Sequence, residues 1–143
     1  MRRVMVQAAI AAALVTAGYA AGRAQGKSEQ SAIMPAADAK LAESGDWGEF
    51  HAYYEGPTAA TPAMLVGYAD IEPGQQIHPP HQHADEEYLY LVEGSGTWTL
   101  GDRTSPAKAG DVLYSEPGVL HGLKNTSGKP LRFFVVKWKS SRQ

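Results

Sequence analysis

Cysteine is absent from the 143 residues. That excludes a disulfide framework, a thiolate nucleophile, a thiolate metal ligand and a lipid-acceptor cysteine behind a leader. Basic runs are missing beyond Arg2-Arg3, so the chain lacks the electrostatic footprint of a nucleic-acid binder. No internal repeat is visible, which argues against solenoids and propellers. Long stretches free of turn formers are also scarce. With 15 glycines and 9 prolines, the chain suits short strands and many turns better than long helices.

What is present begins with a distinct N-terminal segment. Arg2 and Arg3 precede a stretch from Val4 to Ala21 that is apolar apart from Gln7, Thr16, Gly18 and Tyr19, and small residues then cluster around Ala20 and Ala24. Charge, apolar run and small residues are the three parts of a secretory signal peptide. Alanine dominates the run and leucine is scarce, so cleavage is expected rather than a stable membrane anchor. Taking residues 1–24 as the leader removes Arg2, Arg3 and Arg23. Ten basic residues then face 15 acidic ones, a mature charge of 10 − 15 = −5. Periplasmic or secreted localisation in a bacterium follows as the expectation.

Residues 25–48 are rich in Ala, Ser, Lys and Glu and read as a linker, with one short helix expected over Ala36 to Glu43. From Glu49 to Ser140 turn signals recur every few residues, at Gly56-Pro57, Pro73-Gly74, Glu93-Gly94, Gly101-Asp102, Ala109-Gly110 and Pro117-Gly118. Strand candidates lie between them: Phe50–Tyr54, Met64–Ile71, Tyr88–Val92, Thr97–Leu100, Val112–Tyr114, Leu120–Lys124 and Leu131–Trp138. The expectation is one all-β domain over residues 49–140, a sandwich or barrel. Leu131 to Val136 shows almost no alternation and reads as buried on both faces.

Within that frame His81, His83, Glu87 and His121 stand out, because three imidazoles and one carboxylate can surround a single divalent ion. Residues two apart on a strand share a face. His81 and His83 therefore point together, and a strand unbroken from His81 puts Glu87 with them and Glu86 away. The same count sends Tyr88 and Tyr90 outward and Leu89 and Leu91 inward, to wall a pocket. Four protein ligands can close a tetrahedral zinc site. On a curved sheet they more naturally fill part of an octahedron, favouring iron, manganese, nickel or cobalt.

The two segments that carry these residues resemble the paired motifs of the cupin superfamily. Gly74, His81, His83, Glu87 and Gly94 match the first motif, with one extra residue before His81; Gly110, Gly118, His121 and Asn125 match the second. Glu116 stands where the family has proline, which alters the turn and not the ligand set. The resemblance covers roughly Glu49 to Lys139 and is that of a small single-domain cupin. It implies a double-stranded β-helix, a jelly-roll barrel, with the metal held in its mouth by the three histidines and the glutamate. Cupins that act as dimethylsulfoniopropionate lyases carry a tyrosine two residues beyond that glutamate; Leu89 stands there instead.

Other polar residues have plainer accounts. His78 precedes Pro79-Pro80 and reads as a rim residue, His51 as structural, and Asn125 as a tie for the turn after its strand. Tyr114, Trp98 and Gln76 are further inner-face candidates. The leading expectation is an exported metal-binding cupin with a pocket for a small molecule. Its enzymatic version is a metal-dependent dioxygenase of a phenolic or enolic compound, with Glu87 as base as well as ligand. A non-catalytic module that binds or senses a small molecule or sugar, and an isomerase or epimerase, are the alternatives. The resemblance also implies a homodimer, paired through edge strands with help from the terminal strand ending at Trp138.

Overall fold

The computed structural model describes residues 31–140; the expected leader, residues 1–24, lies outside the described residues. One 3-10 turn, Ala36–Asp38, precedes nine strands. They are β1 Lys40–Gly45, β2 Gly48–Gly56, β3 Met64–Ile71, β4 Glu86–Glu93, β5 Ser95–Leu100, β6 Arg103–Lys108, β7 Val112–Ser115, β8 His121–Lys124 and β9 Leu131–Trp138. Six strands form one sheet in the order β1-β2-β3-β9-β4-β7, and three form a second in the order β6-β5-β8. Among the described residues, neighbouring strands pair antiparallel throughout. The two sheets close on a core of Ala69, Ile71, Leu89, Leu91, Trp98, Ala107, Leu113, Leu123, Leu131, Phe133 and Val135, which is the jelly-roll expected.

Two strands escaped the sequence reading. The helix expected over Ala36 to Glu43 is a single 3-10 turn followed by β1. All six residues of β1 are exposed, so it has no buried face and hence no hydrophobic period. It is held by backbone pairing to β2 through the two-residue turn at Asp46-Trp47, a hairpin geometry whose loop length sets the register. Gly48 permits that turn, with φ at 127° and the Asp70 carbonyl oxygen 2.0 Å from where a Cβ would sit. β6 was hidden for a related reason. It is mostly exposed, carries Pro106, and lies at the edge of the smaller sheet, where a missing N–H faces outward at no cost to the ladder.

The terminal strand differs from expectation in both respects. β9 lies in the middle of its sheet, between β3 and β4, so it offers no edge to a second chain. It also alternates: Leu131, Phe133 and Val135 are buried, whereas Arg132 is exposed and Phe134 and Val136 are half-buried. Apolar residues occupy both parities because the outer face of this sheet is itself aromatic. Tyr88 stacks on Tyr114 at 4.7 Å and on Trp138 at 5.8 Å. Among the described residues, no helix is long and apolar enough to cross a membrane.

Candidate metal centre

The strand expected to run on from His81 is interrupted. β4 starts only at Glu86, and residues 82–85 are irregular. His81 is placed instead by an isolated bridge to His121, in which each backbone N–H donates to the other's carbonyl, at 3.0 and 2.8 Å. His83 is tied by its carbonyl, which accepts from Gly118 N–H at 2.8 Å. The turn before β8 thus holds both histidines of the first motif against the histidine of the second. Glu87 arrives by regular alternation on β4, inward beside Leu89 and Leu91 and opposite in parity to the exposed Tyr88 and Tyr90.

One ring nitrogen from each of His81, His83 and His121 lies within 4.8 Å of the others. The Glu87 carboxylate completes the group, with Oε2 3.3 Å from His83 Nε2 and Oε1 3.3 Å from His121 Nε2. The opposite ring nitrogens face backbone carbonyls: His81 Nδ1 is 3.3 Å from Pro79 O, His83 Nδ1 is 3.1 Å from Asp85 O, and His121 Nδ1 is 2.8 Å from Val119 O. A carbonyl only accepts, so Nδ1 donates in these contacts, and the Nε2 atoms of His83 and His121 are turned to the Glu87 carboxylate, where their deprotonated forms would offer a lone pair to a cation. Asp85 N–H also lies 3.3 Å from His83 Nδ1; the shorter carbonyl contact decides that tautomer. Orientation of a ligand histidine through its other nitrogen is the usual support of a metal site.

His121 gives the sharpest test of fit. It is only 1% exposed, and its Nε2 has no aligned hydrogen-bond partner among the described residues, although Glu87 is close. A buried polar atom without a partner is costly, and a bound cation would satisfy it. The group is coupled even as it stands. The adjacent Glu87 carboxylate raises the His121 pKa against the opposing effect of burial. At Glu87 burial is the largest single influence and pushes the carboxyl up. The combined pull of His121, His83 and Lys137 outweighs it and lowers the pKa. Burial and the neighbouring His121 lower His81. An acid held ionised beside two imidazole nitrogens is a donor set of the kind a divalent ion takes.

His81, Glu87 and His121 line a cavity of about 200 Å³, and His83 lies outside its lining. Its walls are chiefly apolar, from Phe50, Leu65, Ile77, Leu89, Leu123, Phe133 and Val135, with His78 exposed at the rim. Leu91 is fully buried and lies behind this wall rather than in it. Tyr114 points outward, against Tyr88 and 3.4 Å from Glu86, because Val112–Ser115 sets its parity opposite to buried Leu113. Trp98 is core, Gln76 is half-buried and does not line the cavity, and His51 stacks on Tyr68 at 5.0 Å on the outer face. Asn125 is wholly buried and ties down the turn: its amide donates to Ile71 O and Lys129 O at 2.9 and 2.8 Å.

Two charged cavity residues went unremarked in the sequence. Glu43 reaches the rim from β1, a strand without hydrophobic signal. Lys137 is the fourth residue on the inward parity of β9 after Leu131, Phe133 and Val135. It pairs across the sheet with Glu87 on one side and Leu65 on the other. Counting back by twos from Lys137 would have shown a cation on a core face.

Comparison with known proteins agrees with this architecture. The family model for the cupin domain matches residues 67–137. An oxalate-binding protein from Thermotoga maritima is 32% identical over 75 residues, covering 52% of this chain and 61% of that one. A gentisate 1,2-dioxygenase from a Streptomyces species is 28% identical over 79 residues, 54% of this chain and 22% of its own. The chain spans less than two thirds of the length of the first curated relatives it matches. Among solved structures, a double-stranded β-helix protein from Klebsiella pneumoniae superposes with a TM-score of 0.61 at 22% identity, over 80% of this chain and 95% of that one. Motif, barrel topology and family match coincide, and the chain belongs to the cupin superfamily.

Proposed function

We propose that this chain is an exported cupin that binds one divalent metal through His81, His83, Glu87 and His121 and takes a small organic ligand in the adjoining cavity. The observation that carries the reading is the buried, unpartnered Nε2 of His121, facing the Glu87 carboxylate and the other two imidazoles beside an apolar pocket. Iron, manganese, nickel or cobalt suits four protein ligands with open positions; zinc suits the nitrogen-rich set if the site closes. A divalent ion there supplies Lewis acidity and, when redox-active, an electron couple.

The chain's own residues bind and orient. The apolar wall admits a partly hydrophobic molecule and excludes bulk water, and Glu87 is the proposed base as well as ligand. Its lowered pKa suits the ligand role better than strong basicity, which limits it to acidic protons. The catalytic version of the reading is a dioxygenase, and the gentisate dioxygenase relative supports it. A non-catalytic binding barrel is the second reading, supported by the relative named for binding oxalate. Export and a homodimer are part of the proposal; the first rests on the leader pattern alone.

Elemental analysis of the protein exported by its own leader, beside a His83→Ala control, tests it. One equivalent of a transition metal, lost in the control, is the expected result. Oxygen uptake with candidate phenols then separates oxygenase from binding barrel. Absence of metal, with no change in melting temperature on adding it, would remove the metal-centred reading.

A further inference from the structure

Lys137 is an anomaly in the barrel wall. It occupies the inward parity of β9 in line with three buried apolar residues, and it is half-buried. Burying the stem of a lysine is ordinary, but the ammonium then reaches for water or a counter-charge. Among the described residues, no close ion pair or hydrogen bond is formed by its ammonium, although Glu87, its direct cross-strand neighbour, feels its charge. The side chain instead lines the cavity beside the metal-ligand group. Outside the ligand histidines and the exposed His78, it is the sole basic group of that cavity among the described residues.

Charge decides what belongs there. With a divalent ion in place, Glu87 cancels one of its two charges and Lys137 adds one, so the inner cavity carries a net charge of about +2. Glu43 offsets part of this only at the exposed rim. A neutral ligand would leave the Lys137 ammonium only the distant pull of Glu87 and of the acids Glu55 and Asp85 in the adjoining depression, whereas a carboxylate would give it a charge-assisted hydrogen bond. The apolar wall of Phe50, Leu65, Leu89 and Phe133 faces the same space.

We propose that Lys137 is the anion-binding residue of this cavity and that the ligand is a small organic acid, its carboxylate held by the Lys137 ammonium beside the metal and its carbon skeleton against the apolar wall. The assignment rests on the metal-centred reading above and narrows it from a small molecule to an organic anion. It makes Lys137 a specificity residue that the ligand motif does not contain.

Two matched pairs of probes test it by calorimetry on cobalt-loaded protein: oxalate against oxamide, and 2-hydroxybenzoate against 2-hydroxybenzamide. Each pair keeps its shape and changes its charge. Wild type is expected to bind at least one acid about tenfold or more tightly than its amide. Lys137→Met should abolish that preference with cobalt content and melting temperature unchanged, and Lys137→Arg should retain it. Equal binding of acid and amide, no binding of either acid at millimolar concentration, or an undiminished preference in Lys137→Met overturns the assignment. Failure of the metal reading is separately visible as wild type that takes up no cobalt. The same titrations on that metal-free protein then decide Lys137 by the same criteria.

Discussion

His81 and His121 exchange both of their backbone hydrogen bonds, at 3.0 and 2.8 Å, outside any regular strand pairing. This bridge is the joint of the site, because it brings the loop before β4 onto the start of β8. Two imidazoles from distant parts of the chain are set side by side, with ring centroids 4.9 Å apart. Side chains positioned through the backbone can lose one member without losing the others' placement.

Removal of a single imidazole is therefore expected to empty the site and leave the barrel folded. His83→Ala and His121→Ala should each lose stoichiometric metal in elemental analysis while circular dichroism stays that of wild type. In wild type, free metal about a hundredfold above its Kd should add about 2.7 kcal/mol of stability. For a domain of this size that is roughly ten degrees or more in Tm. Neither variant should show the shift. A variant that keeps both metal and shift would show that its histidine is not a ligand.

Without metal, the pair Glu87 and His121 should make stability depend on pH. Glu87 titrates below its ordinary 4.5 in the folded chain, so its contribution is present above that pH and fades as pH falls through the lowered value. His121 titrates above its ordinary 6.5, so its contribution is complete below 6.5 and fades as pH rises through the raised value. His81, lowered by burial, has the opposite sign, so a single profile would blur the pair. The difference between wild type and Glu87→Gln cancels His81 to first order. In chelator-treated protein that difference should be widest between 4.5 and 6.5 and narrow on both sides. Denaturant midpoints across the range measure it, and a flat difference would deny the coupling.

Asn125 should matter to stability and not to metal. Its side chain, itself wholly buried, satisfies Ile71 O and Lys129 O with its amide, and accepts from Ser127 N–H at 3.0 Å and Ser127 Oγ at 2.8 Å. Asn125→Ala removes the buried donor to Ile71 O and the acceptor that holds Ser127, while Lys129 O keeps Ser127 Oγ, a cost on the order of 2 kcal/mol. Urea unfolding should show that loss while elemental analysis of the folded fraction still finds metal. Loss of metal at unchanged stability would place Asn125 in the site instead.

Legibility in the sequence followed burial. Met64–Ile71 and Leu131–Trp138 were readable end to end because β-branched and aromatic residues recur along both, at Val66, Tyr68 and Ile71 and at Phe133, Phe134, Val135, Val136 and Trp138. β1 was invisible because nothing in Lys40–Gly45 is buried. The ligand group was readable from residue type and spacing, yet the parity argument behind it began in the wrong place: alternation governs Glu87, while His81 and His83 converge through the bridge and the Gly118 contact. No count along the chain reports a cross-strand hydrogen bond. Lys137 shows the converse failure, since its parity was countable but an apolar run masked the single charge at its end.

The outer face of the larger sheet carries the last prediction. Tyr88, Tyr90, Val92, Val112 and Tyr114 are all exposed, and the pairings Tyr88↔Tyr114 and Tyr90↔Val112 place four of them side by side on adjoining strands, with Trp138 stacked against Tyr88. A contiguous aromatic patch of this kind is unusual on a monomer and marks a contact surface. A second copy is the proposed occupant, meeting this face with its own, since the apolar residues lie on the face of the sheet. Sedimentation should show a dimer at micromolar concentration. Tyr90→Asp, which sets a charge in the middle of the patch, should weaken dimerisation at least about tenfold, with metal content unchanged because Tyr90 faces away from the cavity. A wild-type protein that sediments as a monomer at that concentration would sink the idea; a dimer indifferent to Tyr90→Asp would move the contact to β1, which is exposed along its whole length.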